Sequence, residues 1–313
     1  MNILVTGGCG YKGHVLVPKL LARGDEVTVI DTIWFGNFFD EHDRLTVLKQ
    51  SVLDLDAFDI TPFDAVIHLA SIANDPCGDL NPKLTWEVSA LATMRSIDKC
   101  APSGIERFIY ASSGSVYGLK EEEFVTEDLE LVPLTEYNKT KMVAERVLLS
   151  SAEDMAVQII RPATVCGLSP RMRLDVSVNM LTMQGIANNK ITVFGGQQIR
   201  PNIHIDDITD VYLFMLDNPQ HTGVFNAGFE NISILDIANR VSDVTGAEII
   251  ITDSNDPRSY RLDSSKLLET GFTPKYTVND AIAQIMEAHK DGSLKDEPHF
   301  YNLGWMTEKQ YSL

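Results

Sequence analysis

Tyr137 and Lys141 stand four residues apart in the run Tyr137-Asn138-Lys139-Thr140-Lys141, a spacing that on a helix projects a phenol and an ammonium from one face. A phenol with an ordinary pKa of about 10 is a poor base at neutral pH, but a neighbouring cation stabilises phenolate and lowers that value. Such a pair could take the proton of a substrate hydroxyl while hydride leaves the same carbon. Alone, the two residues would read as an exposed helical pair. Upstream, however, an apolar run ends in Tyr110-Ala111-Ser112-Ser113-Gly114-Ser115-Val116-Tyr117-Gly118, and the C-terminal ends of strands are where open α/β sheets bind ligands. A hydroxyl there can meet the substrate oxygen.

A hydride needs an acceptor, and the N-terminus supplies the site for one. Ile3-Leu4-Val5 runs into the turn Thr6-Gly7-Gly8-Cys9-Gly10-Tyr11-Lys12-Gly13, a helix-period stretch comes next, and Asp31 closes the next apolar run. Glycines permit the tight turn and a close approach of backbone to a pyrophosphate, which the helix N-terminus attracts. An acidic side chain about 20 residues further on can hold a ribose 2′-hydroxyl. Asp31 favours NAD over NADP, since a 2′-phosphate would face a like charge with no Arg or Lys beside it in sequence.

The elements that must position these groups can be read from the rhythm of the chain. Strand-length apolar runs recur at residues 3–5, 27–30, 46–48, 65–69, 107–111 and 157–160, with helical stretches between most of them. This alternation predicts an α/β fold, a Rossmann-type doubly wound parallel sheet covered on both faces. Residues 84–100 are expected to place Leu84, Val88, Leu91 and Ile97 near one side, and residues 137–150 do the same with Met142, Val143, Val147 and Leu148. Beyond Arg161-Pro162 the rhythm changes, so residues 1–164 are expected to form the NAD-binding domain, with later segments returning to it. Residues 165–313 should form a smaller mixed substrate lobe. The last stretch, from Gly292, is read as a surface tail or a docked arm.

The 313 residues are 44% hydrophobic and 22% charged, with a net charge of −18, ordinary for a globular chain and unsuited to nucleic acid or an anionic membrane surface. No apolar segment reaches the roughly 18 residues of a membrane span. Cys9, Cys77, Cys100 and Cys166 form no Cys-x-x-Cys pair, so neither a zinc site nor a disulfide framework is expected, and a cytoplasmic setting fits. Asp206-Asp207 reads as a helix start rather than a metal site. His68, on an apolar strand, reads as structural.

Together these marks resemble an extended short-chain dehydrogenase/reductase of the nucleotide-sugar epimerase and dehydratase family, over nearly the whole length. They are Gly7-x-x-Gly10-x-x-Gly13, Asp31, residues 64–70, Ser112-Ser113, Tyr137-x-x-x-Lys141 and Arg161-Pro162. The resemblance implies that Ser113 bonds the reacting sugar oxygen, Tyr137 is the acid/base and Lys141 binds the nicotinamide ribose. It further implies that Tyr11 and Lys12 flank the pyrophosphate and that Val52, Leu69, Ala70 and Pro162 line the cofactor cleft. Ser51 departs from the aspartate usual beside the adenine. Arg173, Asn179, Arg200 and Arg258 are expected to hold the nucleotide diphosphate of the substrate, the arginines because a guanidinium grips phosphate oxygens through two donors.

The residues after Ser113 bear on the reaction. Similar 4,6-dehydratases carry Asp-Glu there and decarboxylases an acid at the second position, whereas this chain has Gly114-Ser115. An NAD-dependent 4-epimerase acting through a 4-keto sugar is therefore the leading expectation. A C4 dehydrogenase is the alternative, because the segment from Cys166 to Asp175 and the residue 76–84 loop also resemble a subgroup that oxidises GDP-heptoses in surface-polysaccharide pathways. A 3,5-epimerase would need a further pair such as His204 and Cys77, each read as structural. A redox-sensing regulator would commonly lack the Tyr-x-x-x-Lys pair. In most similar enzymes residues 84–100 and 137–151 form the four-helix interface of a homodimer.

Overall fold

The largely β-branched runs Ile3-Leu4-Val5 and Val27-Thr28-Val29-Ile30 lie side by side as parallel strands, Ile3 opposite Val27 and Val5 opposite Val29. They are β1 (Asn2–Thr6) and β2 (Glu26–Asp31) in a computed structural model that describes residues 1–151, 155–253 and 259–310. With β3 (Leu45–Lys49), β4 (Ala65–His68), β5 (Arg107–Ala111), β6 (Ala156–Pro162) and a later strand, Gly223–Ala227, they build one seven-stranded sheet. Its order is β3-β2-β1-β4-β5-β6 and then the late strand, and every pairing is parallel.

Strands buried on both faces explain the near-continuous apolar runs. Ile3, Val5, Val29 and Ile67 point to one side, against Leu16 and Leu20 of helix α1 (Gly13–Arg23) and residues of Ile205–Asp217. Leu4, Ile30, Val66 and Phe108 point to the other, against Ile97, Ala144 and Leu148. Each fully buried leucine contributes about 2 kcal/mol.

The second helical layer departs from the expected faces. Residues 84–100 form α2 (Pro82–Trp86), a π turn (Glu87–Leu91) and α3 (Ala92–Cys100). The π turn changes the helical phase, so Leu91 is 38% exposed while Val88 and Ala90 are buried. In α4 (Glu136–Ser150) the buried row is Asn138, Lys141, Ala144, Glu145 and Leu148, and Met142, Val143 and Val147 are only half-buried. Polar groups occupy this core face because they build the site.

After β6 the chain leaves and returns. β7 (Thr164–Cys166), β8 (Lys190–Phe194) and β9 (Ile199–His204) come before β10 (Gly223–Ala227), the strand that pairs with β6. β11 (Glu230–Ser233) runs antiparallel to β9, which is parallel to β7; β12 (Glu248–Thr252) pairs with β8. These mixed pieces share a separate core that includes Val178, Leu181, Ile191, Val193 and Ile237. The C-terminal stretch docks on the body through a short 3-10 turn, Pro298–Phe300, and helix α5 (Asn302–Lys309). No helix among the described residues is long and apolar enough to cross a membrane.

Candidate active site

The turn after β1 admits no side chain at two positions. A Cβ on Gly7, whose φ is +71°, would lie 2.5 Å from the Ala70 nitrogen, and one on Gly13 would lie 2.1 Å from the Gly8 carbonyl oxygen. The backbone is thereby brought close under the start of α1, a cradle suited to a pyrophosphate. Gly10 is merely tight, at 3.2 Å from the Gly7 oxygen. Asp31, at the end of β2, accepts N–H bonds from Cys9 (3.0 Å) and Ile33 (2.7 Å). Burial pushes its carboxyl up, and those bonds with the nearby Arg171 oppose the shift. Thus Asp31 has a cation near it after all, contributed by a segment remote in sequence.

Above this cradle opens a cavity of about 530 Å³. Gly7, Gly10, Tyr11, Lys12, Gly13, Asp31, Val52, Leu69, Ala70 and Pro162 line it, and so do Ser113, Tyr137, Arg173 and Arg200. One space therefore unites the expected cofactor residues with the expected reacting groups. Lys141 and Asn179 stand behind its wall rather than on it. Arg258 lies outside the described residues.

Ser113 caps the 3-10 turn Gly114–Tyr117 beyond β5. Its hydroxyl is 2.7 Å from that of Ser115, and Ser115 donates to Asn138 Oδ1 at 2.5 Å. Ser113 also hydrogen-bonds Tyr137. The polar groups running inward from the phenol are therefore neutral, and Ser115 and Asn138 are members that sequence reasoning did not assign. Helix α4 places Tyr137 one residue into its first turn because Thr135 caps it, accepting from the Asn138 N–H and donating to Asp75 Oδ1 at 2.8 Å.

The depression of the phenol's pKa, expected from the ammonium together with the positive ring of an oxidised nicotinamide, is not reached by the protein alone. Burial pushes Tyr137 up to about 12, Ser113 lowering it and the Asp75 charge adding to the rise. Lys141, 2% exposed, is pulled down to about 7 by burial and by the Lys12 charge, while Glu145 holds it up. Its ammonium donates to the Ala111 carbonyl at 2.7 Å and lies 4.7 Å from the centre of the Tyr110 ring. Desolvation is the largest influence on each group, and the nearby charges, Asp75 and Arg173 on the phenol and Lys12 and Glu145 on the ammonium, only modify it.

One turn beyond Lys141, Glu145 accepts from Arg161 Nε (3.0 Å) and Nη2 (2.6 Å), and from the Ser112 hydroxyl. Arg161 Nη1 donates to the Tyr117 hydroxyl (2.6 Å), which donates to Asn226 Oδ1 (2.7 Å). This buried chain ties α4, β6, the turn after β5, and β10 together beneath the site. The spacing Tyr137, Lys141, Glu145 could have pointed to it, since i, i+4, i+8 share a helix face.

In the second lobe Arg173 forms a two-pronged pair with Asp175 at 2.8 and 3.1 Å. Asn179 is fully buried; its carbonyl accepts from Gly167 N–H, and its amide donates to the Tyr11 hydroxyl and the Arg173 carbonyl. That makes it a brace between the lobes, because both ends of its amide are occupied. His204 accepts from Asp206 N–H at the start of helix Ile205–Asp217 and bonds Gln284. Cys77 is buried, its thiol pushed up to about 11 chiefly by burial. His68, between Thr6 and Thr93, is held down to about 3 by burial. None of these three lines the cavity. Asp206 pairs with Lys19, and Asp207 accepts from Lys275 and Tyr276 N–H groups.

Residues 3–228 match the NAD dependent epimerase/dehydratase family. Over 93% of this chain and 97% of the relative, it is 26% identical to a UDP-glucose 4-epimerase of Lactobacillus helveticus. It is 30% identical to an uncharacterized UDP-glucose epimerase of Bacillus subtilis, over 79% of this chain and 83% of that protein. A UDP-glucuronic acid 4-epimerase from Bacillus cereus, solved with UDP-glucuronic acid and NAD, superposes with a TM-score of 0.81 at 26% identity, covering 93% and 99% of the two chains. The cofactor is NAD and the protein is an enzyme of the extended short-chain dehydrogenase/reductase type, so the chain belongs to the NAD dependent epimerase/dehydratase family, the nucleotide-sugar epimerases and dehydratases.

Proposed function

We propose that this enzyme inverts C4 of a nucleotide-diphosphate sugar through a 4-keto intermediate. The observation that carries the reading is the hydrogen-bonded pair Ser113 and Tyr137 on the wall of the cavity that also contains the glycine cradle and Asp31. Bound NAD would supply the acceptor, and then the donor, for the C4 hydride. The turn from Gly7 to Gly13 would hold its pyrophosphate, Asp31 the adenosine ribose, Val52, Leu69 and Ala70 the adenine half, and Pro162 the nicotinamide half, toward whose ribose Lys141 would have to reach from behind the wall, leaving the Ala111 carbonyl. Tyr137 removes the O4 proton and gives it back, and Ser113 orients O4.

Inversion needs only that the keto sugar turn before hydride returns. Where dehydratases and decarboxylases of similar sequence carry acids, Gly114 and Ser115 stand here, and Ser115 is engaged with Asn138. Arg173 and Arg200, which line the cavity, would take the substrate diphosphate, with Arg258 the further arginine expected from the sequence. Asn179 supports the substrate site by fixing the Arg173 carbonyl. The enzyme acts in the cytoplasm, consistent with four buried free thiols. Its homodimer forms through the helices around Leu91 and Leu149, which are 38% and 47% exposed.

The test is incubation with UDP- and GDP-sugars, read by proton NMR at C4. C4 inversion without accumulation of NADH is expected, and inversion of none contradicts the proposal. Accumulating 4-keto sugar with stoichiometric NADH would instead identify the C4 dehydrogenase, including one acting on a GDP-heptose. Solvent deuterium at C3 or C5 would identify a 3,5-epimerase.

A further inference from the structure

Arg171 is 2% exposed, yet among the described residues no carboxylate lies within ion-pairing distance of it. Its Nη atoms donate to the Met172 carbonyl (3.1 Å) and to Asn302 Oδ1 (2.5 Å), both neutral. Its Nε is buried with no partner. The Phe35 ring lies 4.1 Å from its Cζ. A guanidinium removed from water and given only neutral acceptors is costly until an anion arrives. Burial, and after it the Arg173 charge, pull its pKa down to about 9, against the more distant Asp175 and Asp31.

The side chain lines the cavity near the cofactor end, where its charge acts on Asp31 and His14. The group that aims it belongs to the C-terminal helix α5. That helix is anchored by the Asn302 N–H on Asp175 (3.1 Å) and by Trp305 Nε1 on the Trp34 carbonyl (2.9 Å). Asn302 and Met306 themselves line the cavity. The arm thus lies across the segment just beyond Asp31.

We propose that Arg171, aimed by Asn302, is the countercharge of the bound dinucleotide's diphosphate, and that α5 clasps the cofactor through it. The inference rests on the assignment of this cavity to NAD. A nucleotide sugar also carries a diphosphate, and Arg173 and Asp175 act on Arg171 more strongly than Asp31 does; the reach of the Arg171 charge to Asp31 and to Tyr11 of the residue 7–13 turn favours the dinucleotide.

The test uses the full chain stripped of nucleotide and titrated with NAD by calorimetry. Arg171→Met should raise the Kd at least about tenfold, the loss of a charge-assisted bond, while the melting temperature without NAD stays unchanged or rises. A purely structural arginine would do the opposite, lowering the melting temperature and leaving NAD affinity intact, which overturns the proposal. Asn302→Ala keeps the charge but unties it and should speed NAD release severalfold; an unchanged release rate overturns the clasp. If Arg171→Met fails to fold, Arg171→Gln and the Asn302→Ala release rate decide by the same criteria. UDP titrated alone should bind parent and variant equally, and a loss confined to UDP would move Arg171 to the substrate and overturn the assignment. A parent chain that binds no NAD removes the cofactor reading itself.

Discussion

The Lys141 ammonium lies 5.9 Å from the centre of the Tyr137 ring, yet it donates to the Ala111 carbonyl, and burial dominates both groups. Lys141 is held near 7 against an ordinary 10.5. Between those values the unfolded chain binds the extra proton, so this lysine's contribution to stability rises with pH above about 7. The difference in melting temperature between parent and Lys141→Met should therefore move in the parent's favour from pH 7 to pH 9. Thermal melts across that range check it, and a pH-independent difference contradicts the shift.

Tyr137 near 12 cannot serve as a base at neutral pH without further positive charge. Binding oxidised NAD is expected to lower it, and ultraviolet difference titration of the phenol with and without NAD should show this. Tyr137→Phe should cut turnover on the order of 10³-fold, within the range for lost general acid–base catalysis. Its NAD affinity should remain within about threefold of the parent, since the ring stays. Normal turnover in that variant would remove Tyr137 from the chemistry.

Gly13→Ala places a methyl 2.1 Å from the Gly8 carbonyl oxygen, backbone against backbone. No flexible side chain can yield there, so the cradle must shift. NAD binding should weaken by at least about a hundredfold, given how far the turn from Gly7 to Gly13 depends on close approach. Gly10→Ala, at 3.2 Å, should cost much less. Fluorescence titration with NADH compares the two, and equal losses would argue against a steric origin.

The features legible in the chain are those whose cause is local. Gly7, Gly13 and Asp31 come from one turn and one strand end, and Tyr137 and Lys141 from one helix face. The sheet's first six strands are visible as apolar runs, but β10 is not, because Val224 and Phe225 are a short signal whose partner, β6, lies over 60 residues upstream. Sequence places Asn179 at the substrate; its amide is consumed by Gly167, Tyr11 and Arg173, contacts spanning up to 168 residues. The direction of the Tyr137 shift escapes sequence for a similar reason. Spacing reveals that an ammonium is near, whereas desolvation depends on everything else that closes over the ring.

Glu145 shows how far that hidden layer matters. It neutralises Arg161 inside the core and raises Lys141 toward its charged form. Glu145→Gln leaves a buried guanidinium without its countercharge, a loss of about 3–5 kcal/mol, which for a chain of this size lowers the melting temperature by roughly 10 °C. It should also pull Lys141 further below about 7, so the pH at which turnover begins to fall with lost ammonium should move downward. The double variant Glu145→Met, Arg161→Met removes both charges and should recover much of the stability, because an apolar pair of similar volume avoids the desolvation cost. Recovery of stability without recovery of the pH–rate profile would separate the two roles; a single variant as stable as the parent would show that the pair does not hold α4 to β6.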